Sequence, residues 1–487
     1  MKALLVQLPH TNRAPSVVPI GIGCVSAALR RAGCETELLD VFARSFSREE
    51  TGAYLSKSKW DFIGINAFST QYEWARWFAA EARKRQPHAA IVMGGPLATF
   101  SSDIVLRSTA ADICVIGEGE ETVRELAGSM GDLRSVAGIA YRDGSGRIVT
   151  TAERPHIADL DSIPFTPYEF FDMEIYLGNS GMFGVPAVRT IGMLTSRGCP
   201  WRCRYCSRTH RGARLRSIDR IVEEIVLLRE KYGIRGVSFA DELVLVSKKR
   251  GYELCEKLKP LKIYWDCQGR ANVVDLDLLK AMKDSGCTSV GYGVESGSQR
   301  MLDAMEKGVT VRQNELAVAN TIKAGMVPVV QMIYGYPGED TDSIEETARF
   351  FERVKFYPAT GRGICHLSLL TPLPGSPLYA DLVAEGRIRD EEEFLLRLDQ
   401  GYYIGAPLLL NLTRFADGEL LENKRLLEER IKSGYLSYKR FHPSEWFRPH
   451  RNAVSSILAV EGFSGLAREV FRYGRRAAGR VASRRNR

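Results

Sequence analysis

The sequence has no run of about 18 apolar residues, the length that a helix needs to cross a bilayer. It also begins without the long apolar core of a secretory signal, because MKALLVQLPHTN contains only the four-residue apolar run ALLV. These two absences exclude a membrane-spanning class and predict a cytoplasmic protein. The ten cysteines are then expected to be thiols rather than disulfides.

Acidic residues are missing from the last fifteen positions, YGRRAAGRVASRRNR, which carry six arginines. This tail supplies much of the net charge of +8. Such a tail is typical of a solvated terminus, and a weak anionic partner such as RNA or a membrane surface is the alternative. Because the basic excess is concentrated at one end, the net charge does not indicate a nucleic-acid-binding protein.

Apolar runs alternate with helical patterns from the first residue, and 487 residues are enough for two or three domains. The runs KALLVQL, ETELLDV, DFIGINAF, AAIVMGG and ADICVIG are interpreted as strands. Their alternation with helices predicts an α/β domain with a doubly wound, Rossmann-like parallel sheet over residues 1–145. Ligands of such sheets bind at the carboxyl ends of the strands. A linker rich in proline and aromatic residues is predicted over residues 146–185.

A second alternation occupies residues 186–380. Six apolar runs with five intervening helical patterns are too few for an eightfold barrel, and they predict a partial (β/α)6 barrel of the TIM type. The site of such a barrel lies at the carboxyl ends of its strands. Residues 381–487 are first acidic and helical, then aromatic and basic. We expect them to form a helical cap that ends in the basic tail.

Three cysteines, Cys199, Cys203 and Cys206, follow the first predicted strand of the barrel with the spacing C-x3-C-x2-C. Three thiolates on one short loop can bind three irons of a 4Fe-4S cluster, which leaves the fourth iron with an open coordination position. A zinc site is the alternative, with His210 as its fourth ligand. The spacing and the position at the end of a barrel strand favour the cluster.

The stretch CPWRCRYC resembles the signature of the radical S-adenosylmethionine (SAM) superfamily. The resemblance implies that the open iron binds the amino and carboxylate groups of SAM. An electron from the cluster then cleaves the sulfonium and releases a 5′-deoxyadenosyl radical. It also implies that Tyr205 lies next to the adenine, and that an electron donor such as flavodoxin or ferredoxin is a partner.

Residues after four later strands are similar to further motifs of that superfamily. FADE, with Asp241 and Glu242, stands where the family has a motif that faces the methionyl amine. Arg270 follows the third strand, where it could pair with the methionyl carboxylate. GYGVESGS and YGYPGED resemble the family motifs on the ribose side and the adenine side. The SAM contacts expected from these two motifs are Glu295, Ser296, Gly335 and Gly338.

The loops of the first predicted sheet resemble the cobalamin-binding domain that precedes many radical SAM barrels. Ser69, Gly94 and Gly95 match the serine and glycine motifs that make room for the nucleotide tail of the cofactor. One motif is absent, because His10 has no aspartate two residues before it and no glycine three residues after it. His10 is therefore expected to be a solvent-facing loop residue rather than an axial ligand of cobalt.

The resemblance implies a cobalamin-dependent radical SAM enzyme. The first interpretation is a C-methyltransferase that acts on a poorly activated carbon, in secondary-metabolite, cofactor or lipid biosynthesis. The alternative is a radical SAM enzyme without methyl transfer, such as a cyclase, a dehydratase or a rearrangement enzyme. A tRNA methylthiotransferase and a cobalamin or redox sensor are minor alternatives. The former is disfavoured because Cys24, Cys34 and Cys114 form no obvious second cluster site.

The expected substrate is a small molecule whose identity the sequence does not indicate. Its contacts are expected from the loops at the barrel mouth, from the C-terminal helices and from Tyr402, Tyr403 or Trp446. No catalytic acid or base can be assigned, because hydrogen abstraction by a radical depends on geometry more than on a titrating group.

Overall fold

The computed structural model of the chain contains two large sheets and the helices around them. The described residues are 1–10, 17–129, 131–179, 182, 185, 188–210, 212–354, 365–401, 408–441 and 448–485. Among them, no helix is both long and apolar enough to cross a membrane. The strands are β1 (Lys2–Gln7), β2 (Glu35–Asp40), β3 (Phe62–Asn66), β4 (Ala90–Gly94), β5 (Ile113–Val115), β6 (Ile139–Arg142), β7 (Ile148–Thr150), β8 (Thr190–Met193), β9 (Ser196–Arg197), β10 (Arg214–Leu215), β11 (Gly236–Phe239), β12 (Tyr264–Gly269), β13 (Cys287–Glu295), β14 (Val327–Tyr334) and β15 (Cys365–Leu369). The α-helices are α1 (Ile20–Arg31), α2 (Val41–Arg44), α3 (Arg48–Leu55), α4 (Tyr72–Arg85), α5 (Pro96–Ser108), α6 (Glu120–Ser129), α7 (Met173–Asn179), α8 (Ile218–Tyr232), α9 (Lys248–Leu258), α10 (Leu276–Asp284), α11 (Gln299–Ala304), α12 (Val311–Lys323), α13 (Thr341–Val354), α14 (Pro377–Ala384), α15 (Glu391–Gly401), α16 (Asp417–Phe441) and α17 (Arg448–Arg485).

Five parallel strands and an antiparallel hairpin form the N-terminal sheet, in the order β2-β1-β3-β4-β5-β6-β7. Successive residues of β1 are buried on both faces, because helices cover both sides of the sheet. The strand order reverses between β1 and β3, which opens a crevice at the carboxyl ends of these strands. The predicted doubly wound fold is confirmed. Strand β7 extends the sheet beyond residue 145, the predicted end of the N-terminal domain.

The second sheet has six parallel strands in the order β15-β14-β13-β12-β11-β8. Each strand pairs with the next one of the barrel along the chain, which confirms the predicted partial barrel.

Helix α8 illustrates how the local sequence determines where a helix begins and ends. The side chain of Ser217 accepts a hydrogen bond from the backbone nitrogen of Arg220 at 3.2 Å, and Gly233 ends the helix with a φ of 63°.

The segment predicted as a linker contributes to the hydrophobic core. Tyr168, Phe171 and Tyr176 are buried. The hydroxyl of Tyr168 donates a hydrogen bond to Glu224 of the barrel at 2.8 Å, and the hydroxyl of Tyr176 donates one to Asp40 of the N-terminal sheet at 2.5 Å. This segment therefore attaches to both domains.

The C-terminal region is helical, as predicted, but its helices pack on both domains. The hydroxyls of Tyr72 and Ser108, in the N-terminal domain, donate to Glu392 of α15 at 2.8 and 2.5 Å. Helix α17 packs near the amino ends of the barrel strands, where Tyr264 donates to Glu461 at 2.8 Å. One apolar cluster joins the N-terminal sheet to α14, α15 and part of the barrel. The two domains therefore share a core.

Candidate functional site

The three cysteines of the CPWRCRYC stretch lie on the loop between β9 and β10, at the carboxyl end of β8. The thiol of Cys206 is hydrogen-bonded to Cys203. This bond, together with the charges of Lys307 and Arg270, lowers the pKa of Cys203 to about 5 against the opposing effect of burial. Burial raises the pKa of the Cys199 thiol. A positively charged environment of this kind suits thiolate ligands of a metal cluster.

The donors at the carboxyl end of β8 are the three free thiols of Cys199, Cys203 and Cys206 on one short loop. Three thiolate ligands would leave one iron of a 4Fe-4S cluster with an open coordination position. The donor set therefore fits the predicted 4Fe-4S cluster.

His210, the proposed fourth zinc ligand, belongs to another group of side chains. Its ring centroid is 5.5 Å from that of His156, and both histidines lie close to Glu118. Burial and the neighbouring arginines lower the pKa of His210 to about 4. Glu118 already accepts hydrogen bonds from Arg197 and Arg214, and the two guanidinium charges disfavour a metal cation at this position.

A buried network links Tyr205, Glu295 and Lys307 beside the cysteines. The hydroxyl of Tyr205 donates to Glu295 at 2.8 Å, and Nζ of Lys307 lies 2.7 Å from Glu295 and 3.0 Å from the Tyr205 oxygen. Glu295 has a φ of 62°, in the left-handed region. A Cβ at residue 293 would overlap the side chains of Glu295 and Lys307, so the network requires Gly293. Tyr205 and Glu295 are site residues expected from the sequence, whereas Lys307 and Gly293 were not predicted.

Arg270, predicted to pair with the methionyl carboxylate, directly follows β12. Its guanidinium stacks 3.8 Å from the ring centroid of Trp201, contacts Cys203 and donates to the carbonyl oxygen of Lys307. Its Nε atom is buried and has no hydrogen-bond partner among the described residues. An unpaired buried donor is costly, so this atom suits a carboxylate ligand such as that of SAM.

The two acids of FADE have different roles. Asp241 is buried, and its carboxylate accepts hydrogen bonds from the backbone nitrogen of Thr195 at 2.6 Å and the hydroxyl of Ser196 at 2.7 Å. It also accepts from the hydroxyl of Thr195 at 3.1 Å. Asp241 therefore positions the start of the cysteine loop. Glu242 is exposed, and its charge acts on Cys199, so it is the acid available to an amine at the site.

Three other expected SAM contacts, Ser296, Gly335 and Gly338, make hydrogen bonds within the chain. The hydroxyl of Ser296 is buried 3.4 Å from that of Thr347 and accepts from the backbone nitrogen of Ser298. The backbone nitrogen of Gly335 donates to the side chain of Glu339 at 2.5 Å. Arg300 donates to the carbonyl oxygen of Gly338 at 2.7 Å. A turn conformation explains both glycines, because their φ angles are 86° and 87°.

The N-terminal sheet has a cavity of about 60 Å³ between its strands and helices α1 and α6, which reaches the carboxyl ends of β3 and β4 at Asn66 and Gly94. Gly21 and Gly94 line it, and a Cβ at either residue would meet no atom within 4 Å. Gly95 has a φ of 86°, and a Cβ there would meet Asn66 at 2.6 Å. Glycines that leave free space at a strand end let a ligand approach the backbone closely. The contact of Gly94 with cobalamin stays a prediction.

Ser69 and His10 lie near the same end of the sheet. Ser69 is buried and begins a short 3-10 helix, Ser69–Gln71, directly after β3. The ring of His10 packs 5.3 Å from those of Phe42 and Phe68, so His10 is half-buried between aromatic rings and does not face solvent as expected. The expected substrate contacts Tyr402, Tyr403 and Trp446 lie outside the described residues.

The acidic loop GEGEE follows β5, at the ligand-binding edge predicted from the sequence, but its pairing with arginines was not predicted. Glu118 of this loop accepts from Arg197 at 2.6 Å and from Arg214 at 2.9 Å, and Glu120 accepts from Arg197 at 2.5 Å. Both arginines flank the cysteine loop. The available signal was the position of the loop at the ligand-binding edge of the first sheet. Its partners, however, are distant in the sequence.

Family models match both halves of this arrangement. Residues 193–351 match the radical SAM superfamily, and residues 10–127 match the B12-binding domain. Fold and site thus define a radical SAM enzyme. More narrowly, the chain combines a B12-binding domain with the radical SAM domain that follows it. Its cofactors are accordingly a 4Fe-4S cluster, SAM and cobalamin.

Two relatives and one solved structure illustrate the similarity. The uncharacterized methyltransferase PH0819 of Pyrococcus horikoshii is 29% identical, over 90% of this chain and 93% of its own. The anaerobic magnesium-protoporphyrin IX monomethyl ester cyclase of Cereibacter sphaeroides is 29% identical, over 84% of this chain and 66% of its own. The cobalamin-dependent SAM radical enzyme OxsB, with aqua-cobalamin and SAM bound, is 21% identical and has a TM-score of 0.67. That alignment covers 94% of this chain and 72% of OxsB, and it shows a shared fold.

Proposed function

We propose that this protein is a cobalamin-dependent radical SAM methyltransferase that adds a methyl group to a poorly activated carbon of a small molecule. The direct contact between the two cofactor-binding loops carries the proposal. Arg197, just before the first cluster cysteine, pairs with Glu118 and Glu120, beside the cavity of the N-terminal sheet. A methyl donor and a radical source that act on one substrate must be held together. PH0819, whose alignment covers 90% of this chain, is named an uncharacterized methyltransferase.

When bound, the cluster and SAM supply a radical that removes hydrogen, and cobalamin supplies the methyl group. Cys199, Cys203 and Cys206 would ligate the cluster and leave one iron open to SAM. Lys307 and Arg270 would offset the negative charge of the thiolates, since both already act on Cys203. An electron donor such as flavodoxin or ferredoxin would reduce the cluster.

Arg270 and Glu242 are the proposed contacts to the two ends of the methionyl group. Nε of Arg270, which is buried and unpaired within the described part of the chain, would donate to the carboxylate. Glu242, close to Cys199, would accept from the amine. Tyr205 would stack on the adenine, with its hydroxyl fixed by Glu295 and Lys307. For cobalamin, Gly94 would let the nucleotide tail approach the backbone at the end of β4.

The apolar core between the domains would keep water away from the radical. Met301, Met305 and Tyr336 of the barrel pack in one cluster with Ala67 of the N-terminal sheet, and Tyr205 packs against this cluster. Exclusion of water from a reactive centre prevents side reactions. The shared core therefore supports chemistry at the junction of the two domains.

A radical SAM reaction without methyl transfer is the second candidate. It is favoured by the cyclase from Cereibacter sphaeroides, although this chain matches only 66% of the length of that protein.

Product analysis separates the two candidates. The full chain would be reconstituted anaerobically with iron, sulfide and hydroxocobalamin, then incubated with reduced flavodoxin, a small-molecule extract and SAM carrying a deuterated methyl group. Methyl transfer predicts S-adenosylhomocysteine, 5′-deoxyadenosine and a product that carries the label. Formation of 5′-deoxyadenosine alone would contradict methyl transfer and support the second candidate. Cys203→Ala should form neither nucleoside, whereas Cys34→Ala, at a buried cysteine of the other domain, should form both.

A further inference from the structure

The cysteine loop is closed by a two-stranded ribbon in which two arginines face each other. Strands β9 and β10 pair antiparallel, with Arg197 opposite Arg214, and the three cysteines lie on the loop between them. Like charges directly opposite each other destabilise a strand pair. Both side chains are largely buried, with 17 and 16% exposed, so solvent screens their repulsion poorly. The ribbon therefore requires a counter-charge.

The N-terminal domain supplies this counter-charge. The carboxylate of Glu118 lies between the two arginines, accepting from Arg197 at 2.6 Å and from both terminal nitrogens of Arg214 at 2.9 and 3.0 Å. Glu120 accepts from the other terminal nitrogen of Arg197 at 2.5 Å. Burial raises the pKa of Glu118, but hydrogen bonds from Arg214 and Arg197 outweigh it and lower the pKa to about 2. Two carboxylates thus neutralise two guanidinium groups.

The contact of Glu118 and Glu120 with Arg197 and Arg214 lies between the two proposed cofactor sites, and each pair of residues is connected to one of them. On the barrel side, Ser196 precedes Arg197 and donates its hydroxyl to Asp241 at 2.7 Å, which anchors the cysteine loop. On the other side, Gly119 stands between Glu118 and Glu120 and lines the cavity of the N-terminal sheet. A ligand in that cavity would contact the loop that holds the arginines.

We propose that Glu118 and Glu120 are positioning residues that couple occupancy of the cobalamin site to the geometry of the cluster loop, through Arg197 and Arg214. The inference rests on the proposed function, because it requires both cofactors in their proposed sites. Coupling between two sites is reciprocal, so each cofactor strengthens the binding of the other by the same factor. The enzyme would then favour the form that holds both cofactors.

The test measures the affinity of the full chain for hydroxocobalamin before and after anaerobic reconstitution of the cluster, by absorbance titration. In the wild type we expect cluster loading to raise the affinity by roughly fivefold or more. Glu118→Gln keeps the shape of the side chain and removes its charge, so the ratio of the two affinities should fall to about one. Glu125→Gln is the matched control, because Glu125 pairs with Arg154 away from the ribbon, and it should keep the wild-type ratio.

A spectroscopic readout complements the affinities. With excess dithionite keeping the cluster reduced, the shape of its electron paramagnetic resonance signal should change when cobalamin is added to the wild type and to Glu125→Gln, and should stay constant in Glu118→Gln. A wild-type affinity ratio of one, or a wild-type ratio in Glu118→Gln, would overturn the inference and leave the proposed function intact. A wild-type chain that does not bind hydroxocobalamin would instead overturn the proposed function, and the inference with it.

A second variant decides the question if Glu118→Gln does not fold, as judged by circular dichroism. Glu120→Gln removes the contact with Arg197 and leaves Glu118 between the two arginines. A ratio lower than that of the wild type supports the coupling, and an unchanged ratio overturns it.

Discussion

The barrel mouth and the cavity of the N-terminal sheet are built from different kinds of residue. Arg270, Glu295 and Lys307 at the barrel mouth are charged and buried, with exposures of 7, 6 and 8%. The cavity is lined by glycines and apolar side chains, with Asn66 as the one polar lining residue among those described. A small charged ligand requires fixed charges in surroundings of low dielectric constant, whereas a bulky ligand requires space. The two regions should therefore respond differently to the removal of a charge and to the filling of space.

Removal of one buried charge should have the largest effect on stability. Lys307→Met leaves Glu295 buried without its partner, at a pair whose side chains are only 10 and 8% exposed. We expect a loss of about 3–5 kcal/mol in the free energy of unfolding, measured by urea denaturation of the cluster-free chain. The control is Lys280→Met, at an exposed pair with Asp277, with an expected change below about 1 kcal/mol. Equal effects of the two substitutions would contradict the expected difference between a buried and an exposed charge pair.

The pH dependence of stability should reveal a second buried ionisable group near the barrel mouth, Glu339. Burial raises the pKa of Glu339 from its ordinary 4.5 to about 7. The folded chain then binds this proton more tightly than the unfolded chain. The resulting stabilisation is fully present below about pH 4.5 and disappears as the pH rises through 7.

Glu339→Gln should remove this dependence. Between pH 5 and pH 8, the stability of the variant relative to the wild type should rise by roughly 2–3 kcal/mol, measured from urea unfolding at both pH values. Glu385→Gln, at an exposed glutamate, is the control and should show a much smaller change. A pH-independent difference between Glu339→Gln and the wild type would show that Glu339 titrates normally.

Filling the N-terminal cavity should have the smallest effect on stability but a clear one on binding. Gly94→Val places methyl groups where a Cβ meets no atom within 4 Å, so the fold should tolerate it. We expect a loss of affinity for hydroxocobalamin on the order of tenfold, since overpacking a filled cavity costs about 1–3 kcal/mol. Gly144→Val, in the open hairpin of the same domain, should bind as the wild type does. Unchanged affinity in Gly94→Val would place the ligand elsewhere.

The two regions also differ in how far the sequence predicted them. The position of Gly94 at the end of β4 could be read from the sequence, because a glycine at the end of a buried strand is a local pattern. At the barrel mouth the cysteine spacing was equally visible in a few adjacent residues. The roles of the polar residues there were not, because their partners are distant in the sequence. Asp241 binds Thr195 and Ser196 of the cysteine loop, and Ser296 turns toward Thr347. An acid or serine after a strand has the same sequence pattern whether it faces a ligand or its own chain.

The sequence by itself determined the two alternating sheets, because apolar runs and helix-ending glycines are short-range signals. It also determined the cysteine triplet, whose three thiols lie on one loop whatever surrounds them. Only the tertiary structure decided which charges meet. Glu118 pairs with Arg197 and Arg214, which are 79 and 96 residues away along the chain. Lys307 reaches Tyr205 across 102 residues. Such pairs depend on how strands from distant segments are ordered and on which loops share an edge, and packing of the whole chain sets both.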